Sequence, residues 1–427
     1  MRVQINSRSA VAITTPFWTL MLLTACGASP EEPAPEPTDA IAYDGGRIIV
    51  GDGGVIESGT LLVEGDRILA VGGTDSVDVP AGAERIDLTG RTLMPAIIDT
   101  HVHLRETRDE LVEDLQRKAY YGVSAVLSLG RGVSELAFQL RDEVVTNAAR
   151  YLTVGRGITA PEPGRTEVPS WVTTEEEARA AVRELVPQNV GMVKIWVDDR
   201  NGQFDKLTPE LYGAVIDEAH QHGLRVTAHV YTLEDAKGLL RAGLDAFAHG
   251  IRDTDVDDEV IGLFRERPDV VLVPNLPGSG FAADLSWLSG TIPADELTQM
   301  QERSVDRPAA QEAFGIQARN LARLSAEGVT IAFGTDGGAG WSPHAEMEDM
   351  VRAGMNPGDV LVAATRNSAG LMALDDLGTL EAGKIADFIV LDANPLDDIT
   401  NTRRIVDVYL RGAAVERTAL SSAWVGP

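Results

Sequence analysis

TLMPAIIDTHVH (92–103) is a near-continuous apolar run that ends in two histidines, His101 and His103, spaced two apart. A strand buried on both faces reads this way, which is the pattern of a parallel sheet covered by helices. The same design recurs along the chain. GMVKIW (191–196) carries Lys194, LRVTAHV (224–230) carries His229, LDAFAHG (244–250) carries His249, and VTIAFGTDG (329–337) carries Asp336. Three further runs, GVSAVLSLG (122–130), YLTVGRGIT (151–159) and DVVLVPNL (269–276), bring the candidate strands to eight. Helix starts lie between them: Thr174-Glu-Glu-Glu177 has the spacing of a capping box, and Thr208-Pro209-Glu210 is an N-cap followed by proline in the first turn. Eight alternating strand and helix units in ~280 residues predict an α/β fold, a (β/α)8 TIM-like barrel over 94–373, whose active site is built at the C-terminal ends of the strands.

The polar residues stand at those ends, and that placement separates them from ordinary core histidines. A lone buried His is more often a hydrogen-bonded core residue than a ligand, and an Asp after a strand is often a helix N-cap. Unrelated structural histidines have no reason to choose the same end of several strands. Neutral imidazoles with a carboxylate suit a borderline divalent cation such as zinc, with an open position for a water nucleophile. His101 and His103, two apart on an extended segment, point to one side and can chelate one ion. Lys194 is out of place as an ammonium beside such an ion. Carboxylation of its amine by CO2 would give a bridging carboxylate; a plain interior lysine paired with Asp336 or another acid is the alternative reading.

Other polar residues read differently. His220 and His222, in EAHQHG at the end of the helix that begins near Thr208, suit last-turn carbonyls and are expected to be structural. His344, in WSPHAEMED after the eighth strand, is a candidate for the pocket mouth. Arg156, Arg200 and Arg252 are candidate cations for a substrate carboxylate, and Tyr231 is a candidate hydrogen-bond donor.

The ordered set resembles the metal-dependent amidohydrolase superfamily, and within it most the imidazolonepropionase-like and Xaa-Pro dipeptidase-like branch. His101-Val-His103 after Ile98-Asp99 matches the first-strand HxH, Lys194 the carboxylated lysine, His229 and His249 the fifth- and sixth-strand ligands, and Asp336 the eighth-strand aspartate. The resemblance extends from about Ile41 to Arg417 and includes GKIADFIVLDANP (383–395). It implies two divalent metal ions, zinc by expectation. His101, His103 and Asp336 would hold the more buried ion, His229 and His249 the more exposed one, and Lys194 would bridge them. It also implies Asp336 as the catalytic base in a hydrolase that uses a metal-bound hydroxide on an amide or peptide C–N bond of a dipeptide or N-acyl amino acid. Two residues depart from the commoner pattern: Ala96 stands where many relatives have Gly, and His229 is followed by Val-Tyr231 rather than by a further histidine. A lactone, a phosphotriester or a deaminated ring on the same centre is the alternative, and a non-catalytic binding lipoprotein a third reading.

The flanks 41–93 and 374–427 are strand-rich, with Gly and Asp turn signals at short spacing. Together they are expected to form a small β-sandwich from both chain ends. Ahead of them, Arg2 and Arg8 precede the apolar VAITTPFWTLMLLTA (11–25), short for a spanning helix and suited to a signal-peptide core. Leu23-Thr24-Ala25-Cys26 resembles a bacterial lipobox, and Cys26 is the one cysteine of the chain, so no internal disulfide competes for its thiol. A lipoprotein signal peptide (1–25), a lipidated Cys26 and a Pro/Glu-rich tether (26–40) are therefore expected, with the enzyme membrane-anchored and facing the periplasm. Gly27 in place of Asp favours the outer membrane. Sixty-five acidic against 37 basic residues give a net charge of −28, which argues against nucleic acid or an anionic lipid surface as partner. The expected partner is a small-molecule substrate, with membrane contact through Cys26 alone; a homo-oligomer is compatible with the sequence.

Overall fold

The computed structural model describes residues 38–425. The expected signal peptide, Cys26 and nearly all of the tether lie outside the described residues. Among the described residues no helix is long and apolar enough to cross a membrane.

The first five strands are β1 (Ile41–Ile49), β2 (Val55–Glu64), β3 (Arg67–Gly73), β4 (Glu84–Asp87) and β5 (Thr92–Pro95). They share one eight-stranded sheet with β16 (Phe388–Leu391), β17 (Ile405–Leu410) and β18 (Ala413–Ala414), in the order β18-β17-β16-β5-β1-β2-β3 with β4 also on β1. Strands from both flanks of the inner sheets thus enter one sheet that branches at β1. Its core is aromatic: Phe388 stacks on Tyr409 at 4.6 Å, and Tyr43 meets Phe388 edge-on at 5.0 Å.

The inner strands are parallel. Those of the first sheet are β6 (Ile97–Val102), β7 (Val123–Ser128) and β8 (Arg150–Thr153), in that order. The second holds β9 (Ile158–Thr159), β10 (Ser170–Trp171), β11 (Met192–Val197), β12 (Arg225–Val230), β13 (Ala246–Ala248), β14 (Val271–Val273) and β15 (Thr330–Ile331), ordered β10-β9-β11-β12-β13-β14-β15. Backbone bonds link the two sheets on both sides. Thr100 N donates to Phe333 O at 3.0 Å and Asp336 N to His101 O at 2.8 Å, while Gly157 N donates to Gly130 O at 3.0 Å. Two expected strands come apart. TLMPAIIDTHVH changes sheet at Ala96, whose N–H donates to Asp387 O at 3.0 Å just after Pro95, which has no N–H to give. YLTVGRGIT breaks at Gly155 (φ +70°), and Gly157 packs so closely on Trp196 that a Cβ would collide with the indole.

The helices begin where the sequence places them. Thr174 and Glu177 form both halves of the capping box, and Thr208 accepts from Leu211 N ahead of the helix Pro209–Gln221. His220 and His222 close that helix against acids, with His220 Nε2 2.9 Å from Asp245 and His222 Nε2 3.4 Å from Glu218.

Candidate metal centre

β6 carries Asp99 and His101, with an irregularity of register between Asp99 and Val102, and His103 follows directly after the strand. Asp99 is the anchor of this group. Its buried carboxylate accepts from Lys118 Nζ at 2.8 Å, from Thr335 N at 3.0 Å and from Thr335 Oγ1 at 2.8 Å. That ties the end of the eighth run to the first strand, one residue before Asp336. His101 and His103 then bring Nε2 to 3.1 and 3.0 Å from Asp336 Oδ1, and His249 Nε2 lies 3.6 Å from Oδ2.

His101, His249 and Asp336 offer ligand atoms all within 4.8 Å of one another. His103 joins them through Asp336. His229 packs its ring on His249 with centroids 4.5 Å apart, while its Nε2 lies 3.0 Å from Asp198 Oδ2 and 3.2 Å from Arg200 Nη1. Lys194, on β11, is fully enclosed, and its Nζ has no hydrogen-bond partner among the described residues. Three of the strand ends carry non-glycine residues at positive φ: His249 (125°), Asn275 (40°) and Asp336 (53°). Such conformations cost of order 1–3 kcal/mol each and concentrate at functional sites.

The electrostatics favour a cation. Burial pushes His101 and His249 well below the usual imidazole range and His229 down to about 4, so all three are neutral near pH 7. Burial alone would raise Asp336, but the hydrogen bond with His103 and the electrostatic pull of the neighbouring His101, His103 and Lys194 side chains outweigh it and hold the carboxylate well below its usual range. His101 Nδ1 faces Asn275 Oδ1 at 3.0 Å, and a carbonyl oxygen only accepts, so the ring proton sits on Nδ1. Nε2 then turns a lone pair toward Asp336 Oδ1 with no proton between them. Two acceptors at 3.1 Å repel unless a cation lies with them. Nδ1 of His103 and of His249 are also buried without partners among the described residues. These donors therefore fit a divalent ion. Burial, with Arg252 and Arg200 nearby, pushes the Lys194 amine down to about 7 against the pull of Asp336.

The site opens into a cavity of 370 Å³ whose lining includes His101, His103, His229, His249 and Asp336 together with Arg131, Glu162, Arg165, Trp196 and Arg200. Arg200 is held on Glu162 at 2.9 Å and on Asp198 at 2.5 Å, and Arg165 is held on Glu162 at 2.5 Å. Arg131, at the end of the second run, has no acidic partner among the described residues. Asp198, Asn275 and Arg131 were not anticipated from sequence. The available signal was a polar residue just beyond an apolar run, at the same end as the histidines.

The remaining candidates fall elsewhere. Tyr231 and Arg252 stand beside the cavity, joined by Arg252 N donating to Tyr231 O at 2.9 Å, and neither is among its lining residues. Arg156 points away and donates to Val168 O at 2.7 Å. His344 corrects the expectation of a residue at the pocket mouth. It is enclosed, with Nε2 3.0 Å from Tyr121 O and Nδ1 3.0 Å from Thr402 Oγ1, because the helix Ser342–Arg352 turns its ring inward.

Residues 92–415 match the amidohydrolase family. The chain belongs to that family. Relatives include an imidazolonepropionase of Geobacillus thermodenitrificans, 25% identical over 79% of this chain and 85% of that protein. An ochratoxinase of Aspergillus niger is 25% identical over 83% of this chain and 81% of its own length. The structure of a candidate prolidase from Bifidobacterium longum superposes with a TM-score of 0.73 at 28% identity, covering 91% of this chain and 98% of that one. The protein is a hydrolase of this family, and its His/His/Asp cluster has the donor set for the divalent metal the family generally uses.

Proposed function

We propose that the protein hydrolyses the amide or peptide C–N bond of a small carboxylate-bearing substrate, a dipeptide or an N-acyl amino acid. The observation that carries this reading is the pairing of buried His101, His249 and Lys194, and of Asp336 at their open side, with Arg131, a cation without an acidic partner among the described residues on the wall of the same cavity. In a chain of net charge −28 an anionic substrate needs such a local cation to bind. The inner sheets form a single (β/α)8 barrel in this reading, with the chain ends as its β-sandwich.

His101, His103 and Asp336 would hold one ion, His229 and His249 a second, and a carboxylated Lys194 would bridge them. A divalent ion held there acts as a Lewis acid on the substrate carbonyl and lowers the pKa of water. Asp336 accepts a proton from the attacking water and returns it to the leaving nitrogen, a task that its place on the cavity wall beside the histidines allows. Arg131 orients the carboxylate, and Asn275 keeps His101 in the tautomer that offers Nε2.

The test is a screen of zinc-loaded protein against dipeptides, N-acyl amino acids, lactones and phosphotriesters. Amide hydrolysis that weakens on Arg131→Ala through KM supports the reading. Turnover confined to lactones or phosphotriesters would establish the alternative chemistry on the same centre. We also propose, from sequence, that Cys26 carries a lipid anchor. Cys26→Ser should then move the protein out of the membrane fraction, and a variant that stays with the membrane would refute the anchor.

A further inference from the structure

Beside the metal cavity lies a second cavity of 520 Å³, and the one residue that lines both is His103. Its size falls within the range of small-molecule sites. Its character differs from that of its neighbour, for Tyr121, Ile292, Pro293, Met300 and Trp341 supply an apolar and aromatic wall.

That wall is built in advance of any ligand. The loop after Asp336 presses onto the first helix (Arg108–Tyr120): a Cβ on Gly338 would stand 2.9 Å from His103 O, and one on Gly340 2.7 Å from Arg117 O. Tyr121 is fixed by its hydroxyl, 2.6 Å from Thr291 Oγ1, and by the bond between its carbonyl and His344 Nε2 at 3.0 Å. Trp287 packs edge-on against Tyr121 and Trp341, at 6.0 and 6.4 Å between centroids. The charges at the margin are largely spent on each other. Arg105 holds Asp114 at 2.5 Å and Glu113 at 3.3 Å, and Arg117 holds Glu113 at 2.8 Å. Glu296 is exposed, without an ion-pair partner among the described residues, and disfavours a second anion here.

We propose that this cavity is the acyl subsite and takes a bulky, uncharged aromatic or branched acyl group. The inference rests on the amide-hydrolase reading. With the substrate carboxylate at Arg131 and the scissile carbonyl at the histidines and Asp336, the acyl end leaves the metal cavity past His103 and enters the apolar one. The preferred substrates are then amino acids carrying large N-aroyl groups rather than acetyl.

The experiment compares N-acetyl, N-benzoyl and N-(2-naphthoyl) derivatives of one amino acid on the zinc-loaded full chain. The wild type should favour naphthoyl over acetyl by about tenfold or more in kcat/KM. Met300→Trp and Ile292→Trp, which fill the cavity from two segments, should each lower that ratio by about tenfold. A wild-type ratio near one, or a ratio that neither filled variant alters, overturns the proposal. Equilibrium binding of the naphthoyl compound, read by its fluorescence, separates the two levels of failure. If no acyl amino acid is hydrolysed yet the naphthoyl compound binds and both filled variants lose it, the subsite stands and the amide-hydrolase reading falls. If the compound does not bind, or the filled variants bind it as the wild type does, the subsite falls whatever the reaction.

Discussion

The terminal sheet and the C-terminal ends of the inner strands are both buried β-structure, yet they treat polar groups in opposite ways. Around Tyr43, Phe388 and Tyr409 the sheet is closed by aromatic packing, and its polar neighbour Asp44 is satisfied by Thr60 Oγ1 and Arg85 Nη1, each at 2.6 Å. At the inner strand ends the buried Nζ of Lys194, Nδ1 of His103 and His249, and Nδ2 of Asn275 have no partner among the described residues, and three non-glycine residues sit at positive φ. Orphaned polar atoms and strained backbone are each costly. Their coincidence in one place marks where the fold gives up stability for chemistry; in the terminal sheet Arg411 (φ 54°), in the turn before β18, is the one non-glycine residue at positive φ among those described.

That contrast can be broken from either side. The largest effect is expected at Asp336. Asp336→Asn keeps the side-chain shape but cannot accept the proton, so kcat should fall by about 10²–10⁴ while thermal stability changes little. In the terminal sheet the pattern reverses. Phe388→Ala empties a buried aromatic position and should cost roughly 3–5 kcal/mol in chemical denaturation, with activity per folded molecule and metal content retained. Equal loss of specific activity in both variants would erase the distinction.

A smaller effect separates the two kinds of buried histidine. Burial holds His344 neutral, pushed down to about 3, so between that value and 6.5 the unfolded chain takes up a proton that the folded chain refuses. Its folded pKa lies below its unfolded one, so the stability it contributes is full above pH 6.5 and is lost as pH falls toward 3. The wild type should therefore lose stability more steeply than His344→Gln on acidification through that window, by a difference that zinc does not alter. A zinc-dependent difference would place His344 with the histidines of the candidate metal centre after all.

The cluster of His101, His103, His229, His249 and Asp336 was legible because each stands at or just past the end of an apolar run, and strand direction alone sends those ends to one side. The capping signals at Thr174 and Thr208 were legible for a similar reason, since the whole device lies within four residues. What the sequence hid depends on partners distant along the chain. Asn275 acquires its role from His101, Asp198 from His229, and Arg131 from having no ion-pair partner among the described residues, and no spacing rule connects them. His344 was misplaced because its position after the eighth strand is right for a site residue, while the direction of its ring is set by the packing of its helix on Tyr121 and Trp287. YLTVGRGIT was read as one strand because its composition is uniform; the break follows from Gly155 and from the bulk of Trp196, forty residues further on.

The central claim is that the histidines and Asp336 gathered at the strand ends are metal ligands and that Lys194 bridges the ions they hold. Elemental analysis after equilibration with zinc, comparing wild type with Lys194→Ala, tests it most directly. The account predicts about two ions per wild-type chain, a large loss in Lys194→Ala, and partial recovery of metal and activity when a short-chain carboxylic acid is supplied to replace the bridging group. A wild type that binds no zinc, or a Lys194→Ala variant that holds the same number of ions with unchanged activity, would contradict it.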